Sequence, residues 1–135
     1  MGIKVFISYD HSEDLRYKNL LRAWDANSVF SFEFDQRSPN EPINSLNAAV
    51  IKTSLTKKMQ ESDYLFVIIG EKSHKSQWMS WEIDKAKSLN LKLAAVKISG
   101  GNITPTGLLN SGTQFATSFT QERIIEALRN AKNNY

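Results

Sequence analysis

The chain has 135 residues, enough for one domain that buries a core of its own without a metal or a disulfide. It contains no cysteine, which excludes disulfides, thiolate metal sites and a cysteine nucleophile together. The net charge of +3 arises from 17 basic residues scattered among 14 acids, and Lys57-Lys58 has no arginine or aromatic stripe beside it, so nucleic acid is not an expected partner.

Residues 3–9, IKVFISY, are apolar and rich in β-branched side chains and predict a first strand, followed by the polar group Asp10, His11 and Ser12. No charged leader, long apolar segment or cleavage site precedes that strand, and no stretch is long enough to span a bilayer, so a cytoplasmic protein with no membrane partner is expected. Ser12 stands as the N-cap of a helix with Glu13 and Asp14 in its first turn and Tyr17, Leu20, Leu21 and Trp24 on one apolar stripe, which makes Trp24 a core residue. Residues 29–34, VFSFEF, alternate as a second strand with Asp35 at its carboxyl end. Pro39 and Pro42 make residues 36–42 a loop.

Residues 43–61 are helical but uneven. Leu46 and Val50 share one stripe, Ile51, Leu55 and Met59 a displaced one, and Thr53-Ser54 is a candidate break, so a helix is placed over at least 52–61. The run YLFVII over 64–69, ended by Gly70, predicts a central parallel strand buried on both faces. After a polar loop at 71–75, Ser76 caps a helix carrying Trp78, Met79, Ile83, Ala86 and Leu89 on one arc.

Glu82 falls inside that arc, so its carboxylate is expected to point into the protein. A capping box does not account for it, because with Ser76 as cap the reciprocating acid belongs at position 79, which is Met. The ordinary explanations left are a helix-dipole interaction, worth ~0.3–1 kcal/mol, or a pairing with Lys85 or Lys75. Trp78 shares the arc and is expected to pack. Trp81 lies off it and either covers a crevice or faces a partner. Residues 91–98 predict a fourth strand, residues 114–119 a short fifth, and residues 121–132 a helix with Ile124, Ile125 and Leu128 inward.

Strands alternating with helices predict an α/β fold: a flavodoxin-like, doubly wound parallel sheet in the order 2-1-3-4-5, with its ligand crevice at the carboxyl ends of strands one and three. The chain has no GxGxxG turn and no P-loop, and strand three does not end in the aspartate that a phosphorylated receiver needs. His11 and His74 have no further metal ligands at useful spacing, so no metal site is expected.

Val5-Phe6-Ile7-Ser8-Tyr9 resembles the first box of TIR domains, and Ser76-x-Trp78-x-x-x-Glu82-Ile83 resembles the start of the helix that carries their glutamate. Phe34-Asp35, Glu41-Pro42-Ile43, Val67-Ile68-Ile69-Gly70 and Trp81-Glu82-Ile83, in this order, resemble the prokaryotic TIR-like family that contains the Thoeris B anti-phage proteins, over about residues 3–98. Met79 stands where that helix usually has a cysteine, and the RDxxPG box of animal TIR domains has no match near residues 35–40.

The resemblance implies a single TIR-like domain over 1–135 that cleaves the nicotinamide glycosidic bond of NAD, with NAD as substrate and no cofactor. It implies Glu82 as the catalytic residue, Ser8, Tyr9, Asp10, His11 and Ser12 on the nucleotide side of the crevice, and Asp35, Trp78 and Trp81 at its border. The implied product is a cyclic ADP-ribose-type signal that diffuses to a separate effector in anti-phage defence, and self-association is a further implication. The alternative is a noncatalytic TIR-like protein-protein interaction module in which Glu82 pairs with a lysine.

Overall fold

A computed structural model describes residues 3–10, 17, 19–21, 30–34 and 42–135. Five strands, β1 (Ile3–Ser8), β2 (Phe30–Phe34), β3 (Tyr64–Ile69), β4 (Lys92–Lys97) and β5 (Gln114–Ala116), form one parallel sheet. Its order is β2-β1-β3-β4-β5, as the sequence pattern predicts. β3 pairs with β1 on one side and β4 on the other, and all six of its residues are buried. An unbroken apolar run is what a strand covered on both faces requires.

The helices α1 (Ala48–Gln60), α2 (Gln77–Ser88) and α3 (Gln121–Asn130) follow β2, β3 and β5, a loop with a 3-10 turn at Thr106–Leu108 joins β4 to β5, and residues 17 and 19–21 are also helical. Because successive strand side chains point to opposite faces, the sheet divides the core in two. On one face, Leu55 and Met59 of α1 and Trp78, Met79, Ile83 and Ala86 of α2 pack on Phe6, Leu65, Val67, Ile69 and Ala95. On the other, Leu21 and the α3 residues Ile124, Ala127 and Leu128 pack on Val5, Ile7, Phe66, Ile68 and Val96. Each large aliphatic side chain buried in this way contributes ~1.5–3 kcal/mol.

α1 runs over Ala48–Gln60, which covers the expected 52–61 but for its last residue and begins four residues earlier, and the Leu46/Val50 stripe faces solvent, with Leu46 100% exposed. The displaced stripe is the inward one. Thr53 does not break the helix, because its hydroxyl donates to Ala49 O at 3.0 Å and Thr56 does the same to Lys52 O at 2.7 Å. β5 is three residues long and stops opposite Val96 of β4. The chain beyond it prepares α3, whose cap Thr120 accepts the Arg123 N–H at 3.3 Å. That helix ends at Asn130, and Lys132 then bridges antiparallel to Leu93.

α2 is held at both ends. Ser76 Oγ accepts the Met79 N–H at 3.1 Å, which fixes the start of the helix as predicted. At its other end Asn90 takes φ 62° and donates to Lys87 O at 3.0 Å, while Leu91 donates to Ala86 O at 3.0 Å. This is a Schellman closure with asparagine in the left-handed position, and it turns Leu91 into the core at the start of β4. Before the helix, the polar segment 71–75 holds a 3-10 turn at Ser73–Lys75, and the buried Ser73 hydroxyl accepts the Gly70 N–H at 2.7 Å. Among the described residues no helix is long and apolar enough to cross a membrane.

Candidate active site

Ser8 is the last residue of β1 and lies on the same face of the sheet as Phe6, the face that α2 covers. Glu82, in the second turn of α2, meets it there: the Ser8 hydroxyl donates to Glu82 Oε1 at 2.6 Å. Serine and carboxylate are 0% and 1% exposed, so the inward azimuth expected for Glu82 is the one it has. Burying a carboxylate costs several kcal/mol. A charge-assisted hydrogen bond such as the one from Ser8 returns ~1.5–3 kcal/mol of that cost. Glu82 is thus a buried acid at the carboxyl edge of the parallel sheet, next to the point where strand order reverses, the place where sheets of this kind form ligand crevices.

The other expected site residues are distributed around this pair. Tyr9 turns to the opposite face and is buried in the core there, and Asp10 is half-buried just beyond it. His11, Ser12 and Asp35 lie outside the described residues, as does Trp24. Trp78 is buried under the sheet face with Met79 and Ile83, as a packing residue would be. Trp81 is half-buried and stands edge-on to Trp78, with ring centroids 6.1 Å apart at 80°. The Lys52 and Lys85 ammonium groups lie 5.9 and 5.7 Å from its ring centroid, which ties α1 to α2. His74 sits in the 3-10 turn, and among the described residues no three His, Cys, Asp or Glu side chains gather as a metal site.

A second feature of the same sheet edge carries no motif that would reveal it in the sequence. A cavity of about 660 Å³ opens at the carboxyl ends of β4 and β5, lined by Lys97, Ile98, Leu109, Phe115 and Phe119 among others. The loop that supplies Gly100, Thr104 and Leu109 to its lining is tied down. Asn102 Nδ2 donates to Ile69 O at 2.9 Å, and Gly107 runs so close to α2 that a Cβ there would lie 2.7 Å from Ile83 Cγ2.

A parallel five-stranded sheet in this order, with an inward carboxylate on the helix after its central strand, defines a TIR-like α/β domain. The model of the TIR-like domain of the Thoeris protein ThsB matches residues 6–102, and the chain belongs to that family. No curated protein matches the sequence. Among solved structures, a 2-deoxyribosyltransferase from the psychrotolerant bacterium Bacillus psychrosaccharolyticus is similar over 98% of both chains, with TM-score 0.67 and 10% identity. A conserved protein from Enterococcus faecalis V583 is similar over 74% of this chain and 66% of that one, with TM-score 0.57 and 16% identity. The TIR domains of the activated Roq1 resistosome, which directly recognises the pathogen effector XopQ, match over 71% of this chain and 57% of that one, with TM-score 0.50 and 20% identity. At these identities the likeness is one of fold.

Proposed function

We propose that the chain is an enzyme that cleaves the nicotinamide glycosidic bond of NAD, with Glu82 as the carboxylate at the reacting ribose. The observation that carries this reading is the buried Ser8–Glu82 pair at the sheet's carboxyl edge. The C1′–N bond breaks with its electron pair passing to the pyridinium nitrogen. Nicotinamide therefore leaves as a neutral molecule, and no general acid is required. Positive charge develops on the ribose, where a preoriented carboxylate in a water-poor site stabilises it. Ser8, assigned by resemblance to the nucleotide side, also acts as a positioning residue that sets the direction of the Glu82 carboxylate.

The oxocarbenium is then captured by water, giving ADP-ribose and a proton, or by a nucleophile of the same molecule, giving a cyclic isomer. Exclusion of water from the corner favours the second route. A cyclic product would serve as the diffusible signal that reaches a separate effector. Because Glu82 is 1% exposed, substrate meets it only after what covers it has moved aside, so turnover includes an opening step, which self-association of the chain would supply. One protein that shares the fold is a 2-deoxyribosyltransferase.

The test is product analysis of the concentrated chain incubated with NAD. Nicotinamide appearing with a partner product one water lighter than ADP-ribose is the expected result, and ADP-ribose itself would give the hydrolytic form of the same reaction. NAD left intact under conditions where the chain self-associates would contradict the proposal and favour the noncatalytic interaction module.

A further inference from the structure

The carboxyl edge of the sheet is not level. Ser8, Val67, Ala95 and Phe115 occupy one register row across β1, β3, β4 and β5. β1 stops at that row, while β3 and β4 continue through Ile69 and Lys97, about 7 Å further at ~3.3 Å per residue. Ser8 and Glu82 therefore sit at the foot of a step, and Lys97 is on its crest. At ~4.8 Å per strand, Phe115 lies about 14 Å along the row from Ser8. Registered neighbours in a parallel sheet share a face, so Phe115 projects to the same side as Ser8.

At that far end lies the cavity of about 660 Å³, within the ~300–1,000 Å³ range of small-molecule sites. Among the described residues its lining offers one cation, Lys97, and no acid, with the hydroxyl side chains Thr117 and Ser118 beside the rings of Phe115 and Phe119. Phe115 is 43% exposed, an aromatic surface left in water on the cavity wall. Cation, hydroxyls and ring faces match a phosphate, a ribose and a base.

The geometry points to this cavity as the seat of the non-reacting nucleoside monophosphate half of a dinucleotide, with the diphosphate passing Lys97 and the reacting ribose at Glu82. This rests on the proposed NAD reading for what happens at Glu82, though the cavity's preference for a nucleotide does not depend on turnover. A mononucleotide fills one end of the row only. A dinucleotide, with its two riboses joined through a diphosphate, spans both ends. The assignment explains why the substrate would be recognised at a distance from a corner that is closed in the resting chain.

The test titrates AMP and, separately, nicotinamide mononucleotide into the full chain by equilibrium dialysis, comparing the parent with Phe115→Ser, Lys97→Met and Glu82→Gln, each checked for an unchanged unfolding midpoint. The AMP Kd is expected to rise about tenfold in each of the first two variants and to stay unchanged in Glu82→Gln, with nicotinamide mononucleotide unaffected by Phe115→Ser. AMP binding that ignores both cavity variants, or no saturable AMP binding by the parent at millimolar concentration, would overturn the assignment. If the expected AMP pattern is found with NAD left intact, the cavity assignment stands and the cleavage reading fails. If nicotinamide is released with a KM for NAD indifferent to Phe115→Ser and Lys97→Met, the cleavage reading stands and the cavity assignment fails.

Discussion

One row of the sheet ends at β1 in a serine hydroxyl and a carboxylate closed off from water, and at β5 in a phenyl ring open to it. Each end is the reverse of what folding alone favours, since carboxylates are ordinarily solvated and phenyl rings ordinarily buried. The sealed end has a fixed geometry: a 2.6 Å bond between residues 74 positions apart, on a helix held by a cap and a Schellman closure. The open end has a shaped wall and a ring left 43% exposed. The first suits chemistry, where orientation of one group decides rate, and the second suits recognition, where an exposed surface waits for a ligand.

Perturbing the two ends separately should therefore give opposite results. Ser8→Ala removes the hydroxyl donor of the sealed corner and is expected to cost ~1.5–3 kcal/mol in urea unfolding and to slow nicotinamide release on the order of 10²-fold. An equal loss of turnover in Phe115→Ser would break the distinction. Gly107→Ala drives a methyl group against Ile83 Cγ2 and is expected to cost ~1–3 kcal/mol by thermal or chemical unfolding, because Ile83 is fixed in the core. It would also sharpen the comparison, since the same loop walls the cavity and leans on the helix of Glu82. Ser76→Ala removes the α2 cap and is expected to cost ~1 kcal/mol. Phe115→Ser is expected to change stability by less than ~0.5 kcal/mol, as a half-exposed side chain with no core role should.

The helical period alone places Glu82 on the buried arc, and the same arithmetic places Trp78, Met79 and Ile83, because an amphipathic helix on a sheet has little freedom in how it turns. The β3 run and the Ser76 cap are equally local signals. Ser8 as the partner of Glu82 was not legible: a contact across 74 positions depends on strand order and register, which periodicity does not carry. The start of α1 is left open by the sequence because Leu46 and Val50 look inward by composition, while the small Ala48 is the residue that packs. The cavity had no signal at all, since residues 98–113 have no apolar period and their shape follows from the bonds to Ile69 and the close approach to Ile83. The roles expected of His11, Ser12 and Asp35 concern positions outside the described residues.

The measurement that bears most directly on the account is the rate of nicotinamide release by Glu82→Gln beside the parent chain, at equal concentration and with both folded by circular dichroism. The amide keeps the size of the side chain and can still accept from Ser8, so only the negative charge at the reacting ribose is lost. A fall on the order of 10²–10³-fold or more is predicted. Turnover equal to the parent's would show that the buried carboxylate has no part in the chemistry, and the Ser8–Glu82 corner would then be a structural feature of the fold.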